Sequence, residues 1–382
     1  MTWRLLRVLP CVVALQVVAA LAGPGVAVAD PATWVVRTAT PSDAAAVVQA
    51  GGVTPTMVFG SALAGFVAPL TAAQLDVVRA QPGVLGVEPD RAGAPPEPRP
   101  MRLSETSAVP RANWGLDRID QRALPLDGRH GEKATGAGVT IYVLDTGMDT
   151  AHPEFEGRAG AAFNAVDRTT GDCDGHGTVV AGIAASRLHG VAPQAQVRSV
   201  KVLDCNGVGR LSSLLSGIDW VTRNAQRPAV AVMSWSFGRS DALAAAVQTL
   251  VDKGVFVAAS AGNTGADDCA ALPRSVPGVT VVASSTRDDK RAPTSSTGSC
   301  VDVYAPGASI VSTTVKGGTA SWSGTSMAAP HVAGVAALYK QVHGDAPSAV
   351  VERWIVDHAT PGVVAGGGTG GTPNRLLYAG DL

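Results

Sequence analysis

Five short runs set the terms for what this chain can fold into. Val139–Leu144, Val197–Leu203, Ala229–Met233, Val255–Ala259 and Val279–Ala283 are dominated by apolar, largely β-branched residues and lack the sustained polar alternation of a half-exposed strand. Strands of this kind are buried on both faces. Helix-like segments lie among and beyond them, at about Thr178–Ala185, Ser212–Asn224, Ala242–Lys253, Ser326–Tyr339 and Pro347–Asp357. Strands alternating with helices supply the crossovers that parallel pairing requires. The pattern therefore predicts an α/β fold: a doubly wound, mostly parallel sheet with helices on both faces. In such sheets binding and catalytic groups collect at the carboxyl ends of the strands.

The first third of the chain has a different texture. Arg4 and Arg7 precede an apolar run from Val8 to Ala22, followed by Ala27-Val28-Ala29. That is the pattern of a secretory leader, residues 1–29, cut before Asp30. Next comes a β-α-β-β-α-β order, the signature of a small α+β split-βαβ domain over 30–92. Trp34–Arg37 reads as a strand, Ser42 as the cap of an Ala/Val helix ending near Gly51-Gly52, and Thr56–Val67 as a hairpin. Thr71-Ala72-Ala73-Gln74 is a capping box opening a helix to about Ala80, and Gly83–Val87 reads as the last strand. Fewer than about 70 residues make a marginal core, so this unit is expected to lean on a neighbour. Gly93-Ala94-Pro95-Pro96-Glu97-Pro98-Arg99-Pro100 opens an extended linker over 93–107, and the larger domain is expected over 108–382.

Charge excludes some partners. A formal net charge of −1 gives no steering toward nucleic acid or an anionic membrane. No second stretch is long enough to span a bilayer. Export predicts an oxidising compartment, in which Cys173, Cys205, Cys269 and Cys300 remain after the leader leaves. Three pairings of these four are open.

Three residues stand where acyl-transfer chemistry would need them. Ser326 lies between the Gly324-Thr325 turn and an apolar small-residue stretch, so it falls at a helix start, where unpaired backbone N–H groups can receive an anion. Asp145 ends a buried strand. His176 sits between glycines in Asp174-Gly175-His176-Gly177-Thr178. Hydroxyl, imidazole and carboxylate supply nucleophile, base and orienting group. Asn263, just past another strand, adds a side-chain amide able to donate to an oxyanion. A competing use of Asp172, Cys173, Asp174, His176 and Cys205 is a metal site.

Val143-Leu144-Asp145-Thr146-Gly147, Asp174–Thr178, Ala261-Gly262-Asn263 and Gly324-Thr325-Ser326-Met327-Ala328-Ala329-Pro330-His331 together resemble the subtilisin-like serine proteases, in particular the secreted proteinase K and aqualysin-like branch. The resemblance runs from about Trp114 to the C-terminus. It implies a secreted serine endopeptidase with Asp145, His176 and Ser326 as catalytic residues and Asn263 at the oxyanion, needing no cofactor for catalysis and acting as a monomer. The 30–92 segment resembles the family's inhibitory propeptide, an intramolecular inhibitor and folding aid removed by self-cleavage between about residues 100 and 108.

The resemblance also implies two bridges, Cys173 to Cys205 and Cys269 to Cys300. It further implies a peptide groove formed by Gly207-Val208-Gly209, Ser234-Trp235-Ser236 and Ser260-Ala261-Gly262. Relatives commonly read Met-Ser-Leu-Gly-Gly where this chain has Met233-Ser234-Trp235-Ser236-Phe237, and Val179 stands where a second histidine is frequent. Core packing and a role in selectivity are both open for Trp235 and Phe237, whereas Val179 is expected to affect packing only. A structural calcium site is implied at Pro277, Val279 and Asp302.

Overall fold

The computed structural model describes residues 32–93, 113–131, 133–169 and 171–382. The expected leader, nearly all of the linker and the expected processing region lie outside these residues. From Ala32 onward the described chain belongs to one compact unit.

The N-terminal subdomain runs β1 (Ala32–Thr38), α1 (Pro41–Gly51), β2 (Met57–Phe59), β3 (Ala64–Leu70), α2 (Ala72–Arg79) and β4 (Val84–Pro89), in the expected order. Its antiparallel sheet has the order β2-β3-β1-β4. The α1 cap differs from expectation. Thr40, rather than Ser42, accepts from Asp43 N at 3.1 Å, while the Asp43 carboxylate accepts from Thr40 N at 3.0 Å. Pro41 then occupies the first helical position, where its missing N–H leaves no bond unmade. The Thr71–Gln74 capping box opens α2 as the sequence predicts.

The larger part contains α3 (Trp114–Ile119), β5 (Thr140–Asp145), β6 (Ala159–Asn164), α4 (His176–Ala185), β7 (Gln196–Lys201), α5 (Leu211–Asn224), β8 (Ala229–Met233), α6 (Asp241–Asp252) and β9 (Phe256–Ser260). It continues through β10 (Val279–Ser285), β11 (Val303–Pro306), the hairpin β12 (Ile310–Thr314) and β13 (Gly318–Trp322), α7 (Thr325–His343), α8 (Ser348–His358), β14 (Thr360–Pro361) and β15 (Arg375–Leu376). Nine strands form one sheet in the order β14-β15-β11-β10-β9-β8-β5-β7-β6. All pairings in it are parallel except β14 with β15.

Both faces of this sheet are covered. Ile141, Val143, Val230, Val232 and Ala258 face a core shared with α4 and α7, while Tyr142, Leu144, Ala231, Met233 and Val257 face one shared with α5 and α6. Every residue of α4 and every residue of α7 from Thr325 to Lys340 is buried. A helix apolar on all sides belongs inside a large domain, so the two helices that begin at His176 and beside Ser326 run through the core and are rigidly held.

The subdomain docks on α5 and α6. One face of its sheet packs its own core of Val36, Val47, Phe66 and Val78. The opposite face sends Val35, Phe59 and Val67 into the cluster that holds Leu211, Leu215 and Ile218. Polar clamps surround this contact. Asp219 Oδ1 accepts from the backbone N–H groups of Gly60, Ser61 and Ala62 at 3.2, 2.7 and 2.8 Å. Asp90 takes Arg210 Nε and the N–H of Ser212 at 2.9 Å each, and Glu88 accepts from Ala242 N, near the start of α6, at 2.8 Å.

Candidate active site

The site is assembled at the carboxyl ends of the central strands. Asp145 is the last residue of β5, fully buried, and its Oδ1 accepts from His176 Nδ1 and from Thr146 N at 2.8 Å each. His176 is the first residue of α4, with Gly175 before it in a left-handed conformation (φ 102°). Close approach of two backbones makes this geometry reachable. A Cβ on Gly177 would lie 2.1 Å from the Gly147 carbonyl oxygen, so no larger residue fits there. Burial alone would lower the His176 pKa, but the Asp145 charge and hydrogen bond outweigh it, and the imidazole is held above its ordinary value. Its Nε2 is buried and has no hydrogen-bond partner among the described residues.

Ser326 is the second residue of α7, 1% exposed. Its hydroxyl donates to the Ser234 carbonyl at 3.2 Å, and no hydrogen bond joins it to His176 in this structure. Pro330, four residues on, has no N–H to give to the Ser326 carbonyl. The Ser234 hydroxyl donates to that carbonyl instead, at 3.2 Å. The proline therefore frees an acceptor that ties the Ser326 backbone to the segment after β8. The Ser326 N–H, in the first turn, has no intrahelical acceptor.

Asn263 follows β9. Its Oδ1 accepts from Thr325 N at 2.9 Å and from Thr325 Oγ1 at 3.1 Å, which fixes the amide orientation and leaves the NH2 group to another acceptor. Ser260-Ala261-Gly262 leads into it, and Gly262 N donates to Thr325 Oγ1 at 3.1 Å. Asp145, His176, Ser326, Asn263 and Ser234 thus come together from five separate stretches of chain. Trp235 is buried and donates from Nε1 to the Leu144 carbonyl at 3.0 Å, a packing role at the base of the site. Val179 is fully buried in α4.

Both implied disulfides are present, Cys173–Cys205 and Cys269–Cys300. The first joins the His176 loop to the stretch leading into Gly207-Val208-Gly209. It also removes the thiolates that the competing metal reading required, and among the described residues no cluster of three or more His, Cys, Asp or Glu is placed to hold an ion. Asp302 is a different case. Desolvation, with Glu352 adding repulsion, pushes its carboxyl up to about 7 against the Val281 N–H and Arg375. Asp302 Oδ2 accepts from Val281 N at 2.7 Å; one carboxylate with the two implied main-chain carbonyls, Pro277 and Val279, is an all-oxygen donor set of the kind calcium takes.

Two residues shape the site in ways the sequence did not indicate, Asp172, which was named only for the competing metal reading, and Arg274. Asp172 binds the His176 loop together. Its Oδ1 accepts from Thr146 Oγ1, Asp174 N and Gly175 N, and its Oδ2 from Thr178 N and Oγ1. An Asp shortly before a glycine and a helix start is an Asx-turn signal, and that is the cue available. Arg274, buried, donates from Nε to the Ser260 carbonyl at 2.7 Å and from Nη2 to Ser236 Oγ, linking two stretches of the expected groove. Burial pushes its pKa down to about 10, with Asp268 opposing. No sequence pattern marks it.

Known proteins are similar to this chain in sequence and in fold. The family model described as the subtilase family matches residues 136–376. Alkaline serine exoprotease A of Vibrio alginolyticus is 45% identical over 324 residues, 84% of this chain, which spans 60% of that protein's length. The extracellular serine proteinase of Thermus sp. (strain Rt41A) is 43% identical over 325 residues, 84% of this chain and 77% of its own. A solved structure, that of a cold adapted subtilisin-like serine proteinase, superposes with a TM-score of 0.68 at 45% identity, covering 71% of this chain and 99% of its own. On its fold, its motifs and these similarities, the chain belongs to the subtilase family of serine peptidases.

Proposed function

We propose that the chain is the precursor of a secreted serine endopeptidase that cleaves proteins through Asp145, His176 and Ser326. The observation that carries this reading is the buried Asp145–His176 pair at 2.8 Å, with Ser326 at a helix N-terminus beside an oriented Asn263. Ser326 Oγ attacks the scissile carbonyl carbon while its proton passes to His176 Nε2, and Asp145 stabilises the imidazolium formed. The carbonyl oxygen becomes an oxyanion that accepts from Asn263 Nδ2 and the Ser326 N–H. Collapse breaks the C–N bond as His176 returns the proton to the leaving amine. Water then releases the acyl group by the same steps in reverse roles.

The subdomain acts as a propeptide. Its sheet covers α5 and α6, and its last described residues, Arg91 to Gly93, run as an added strand along Gly209–Leu211: Gly93 N donates to Gly209 O at 2.7 Å, and Leu211 N to Arg91 O at 3.0 Å. The solved neighbour supports two parts, since 71% of this chain accounts for 99% of it. Export is supported by the leader pattern and by the extracellular relative. No described helix is long and apolar enough to cross a membrane.

Ser326→Ala tests the reading. Peptidase activity should fall by at least ~10⁴-fold, fluorophosphonate labelling should vanish, and the precursor should stay uncut. Normal maturation of that variant would assign the cut to another protease. Calcium at Asp302, Pro277 and Val279 plays a structural part only. Adding calcium to chelated protein should raise the wild-type melting temperature, by roughly 2–4 °C per kcal/mol of binding, and not that of Asp302→Ala.

A further inference from the structure

Phe237 is unlike its surroundings. It is a large ring beside the Arg91–Gly93 strand, and its backbone is pinned to Leu272 by two hydrogen bonds, Phe237 N to Leu272 O at 2.9 Å and Leu272 N to Phe237 O at 2.8 Å. The ring is 2% exposed and belongs to the cluster that holds Trp235, Leu211 and Leu214, so it has little freedom to move. It forms a wall beside the added strand Arg91–Gly93.

In an extended strand alternate residues share a side, so Arg91 and Gly93 face the same way and Ala92 the other. Both meet Phe237. The Arg91 guanidinium lies over the ring, 5.1 Å from its centroid, and donates from Nη2 to the Arg239 carbonyl. A Cβ built on Gly93 would lie 2.9 Å from Phe237 Cδ2 and 3.4 Å from the Gly209 oxygen, the acceptor of Gly93 N–H. Ala92 is exposed. The far side of the groove cannot yield either. A Cβ on Gly209 would fall 2.7 Å from Leu203 Cδ2 and 3.1 Å from Leu214 Cδ2, so the strand already lies against its backing.

We propose that Phe237 sets the sequence preference of the peptide groove: it admits glycine at the position whose N–H bonds the Gly209 carbonyl, and it favours a cation two residues before that glycine. This rests on the reading above that the Arg91–Gly93 strand occupies the path of a substrate. Because Ser234 contacts Ser326 and Phe237 is three residues further on, the glycine lies at one fixed distance on the amino side of the cut. Larger residues there must displace a pinned ring. The cation gains the ring face, a smaller effect.

The test uses the mature enzyme and a mixed peptide library, with cut sites read by mass spectrometry for wild type and Phe237→Ala. Wild type should show glycine enriched at one fixed upstream position, with Leu or Phe there cut about tenfold or more slowly, and Arg or Lys two residues earlier favoured about two- to fivefold. In Phe237→Ala the ratio of glycine to leucine rates should fall by about tenfold. Active enzymes without an upstream glycine preference, or with one that Phe237→Ala leaves intact, would overturn the proposal while leaving the protease reading in place. Loss of all cleavage together with loss of Ser326 labelling in the wild type would sink the protease reading instead. Should Phe237→Ala fold poorly, the full-length Ser326→Ala chain still decides. There Gly93→Leu should speed hydrogen exchange at Leu211 N–H, which donates to Arg91 O, by tenfold or more. Unchanged protection would show that the groove is not closed.

Discussion

In the subdomain Ala32–Gly93 only one sheet face covers a core of its own, around Val36, Phe66 and Val78, and the other face is borrowed against α5. In the larger part the parallel sheet is covered on both faces, and α4 and α7 are buried nearly throughout. The chemistry follows this division. Every group assigned to acyl transfer belongs to the larger part, fixed by strand ends and buried helices, whereas the subdomain contributes carboxylates at its edge and a strand laid in the groove. On the proposed reading the subdomain later leaves, and it is held by contacts that can be lost without emptying a core. A unit that must keep angles fixed is held by packing.

The sharpest way to break this comparison is to change one donor in the larger part. Asn263→Ala removes the amide whose orientation Thr325 fixes, and should lower kcat of the mature enzyme by about 10²–10³ with KM nearly constant. In the uncut Ser326→Ala chain carrying the same substitution, amide protection in the subdomain should not change. An unaltered kcat would mean that the oxyanion is bound elsewhere. The next effect lies at the junction. Asp219→Ala leaves the N–H groups of Gly60, Ser61 and Ala62 without their shared acceptor. A loss of about 2 kcal/mol, roughly 30-fold faster hydrogen exchange at those amides, is expected, with α4 amides unaffected. Faster exchange in both parts together would mean that they unfold as one body and that the comparison fails.

Legibility in the sequence followed the same division. The buried strands β5, β8, β9 and β10 were readable because runs of Val, Ile and Ala leave few alternatives. The pieces that escaped were β6, whose Ala-Gly-Ala-Ala-Phe-Asn carries no β-branched residue, the β12–β13 hairpin, and the two- to four-residue strands β11, β14 and β15. All of these are set by what they pack against. The site residues stood out because glycines and strand ends frame them. Arg274 did not, and Asp172 was named only for a metal site, since their work is to bind backbone groups brought near by folding. The α1 cap shows the limit at short range: Ser42 and Thr40 are both competent, and Pro41 decides by claiming the first helical position.

The smallest expected effect is a pH dependence that reports on the larger part alone, because the subdomain contains no histidine. Burial works against a charged His176, but Asp145 more than compensates, so the folded pKa lies above the ordinary imidazole value near 6.5. Attack needs neutral Nε2, so kcat/KM should rise with pH to a plateau, with its midpoint above that value. Stability runs the other way. A group whose pKa is raised on folding stabilises fully below its unfolded value, and that contribution is lost as pH climbs through the folded one. His176→Gln should therefore lose more stability, relative to wild type, at pH 5 than at pH 9, measured by urea unfolding at both. Equal losses at the two pH values, with an activity midpoint at or below 6.5, would show that the Asp145 contact does not govern the imidazole, and that the rigidity ascribed to the larger part does not extend to its proton.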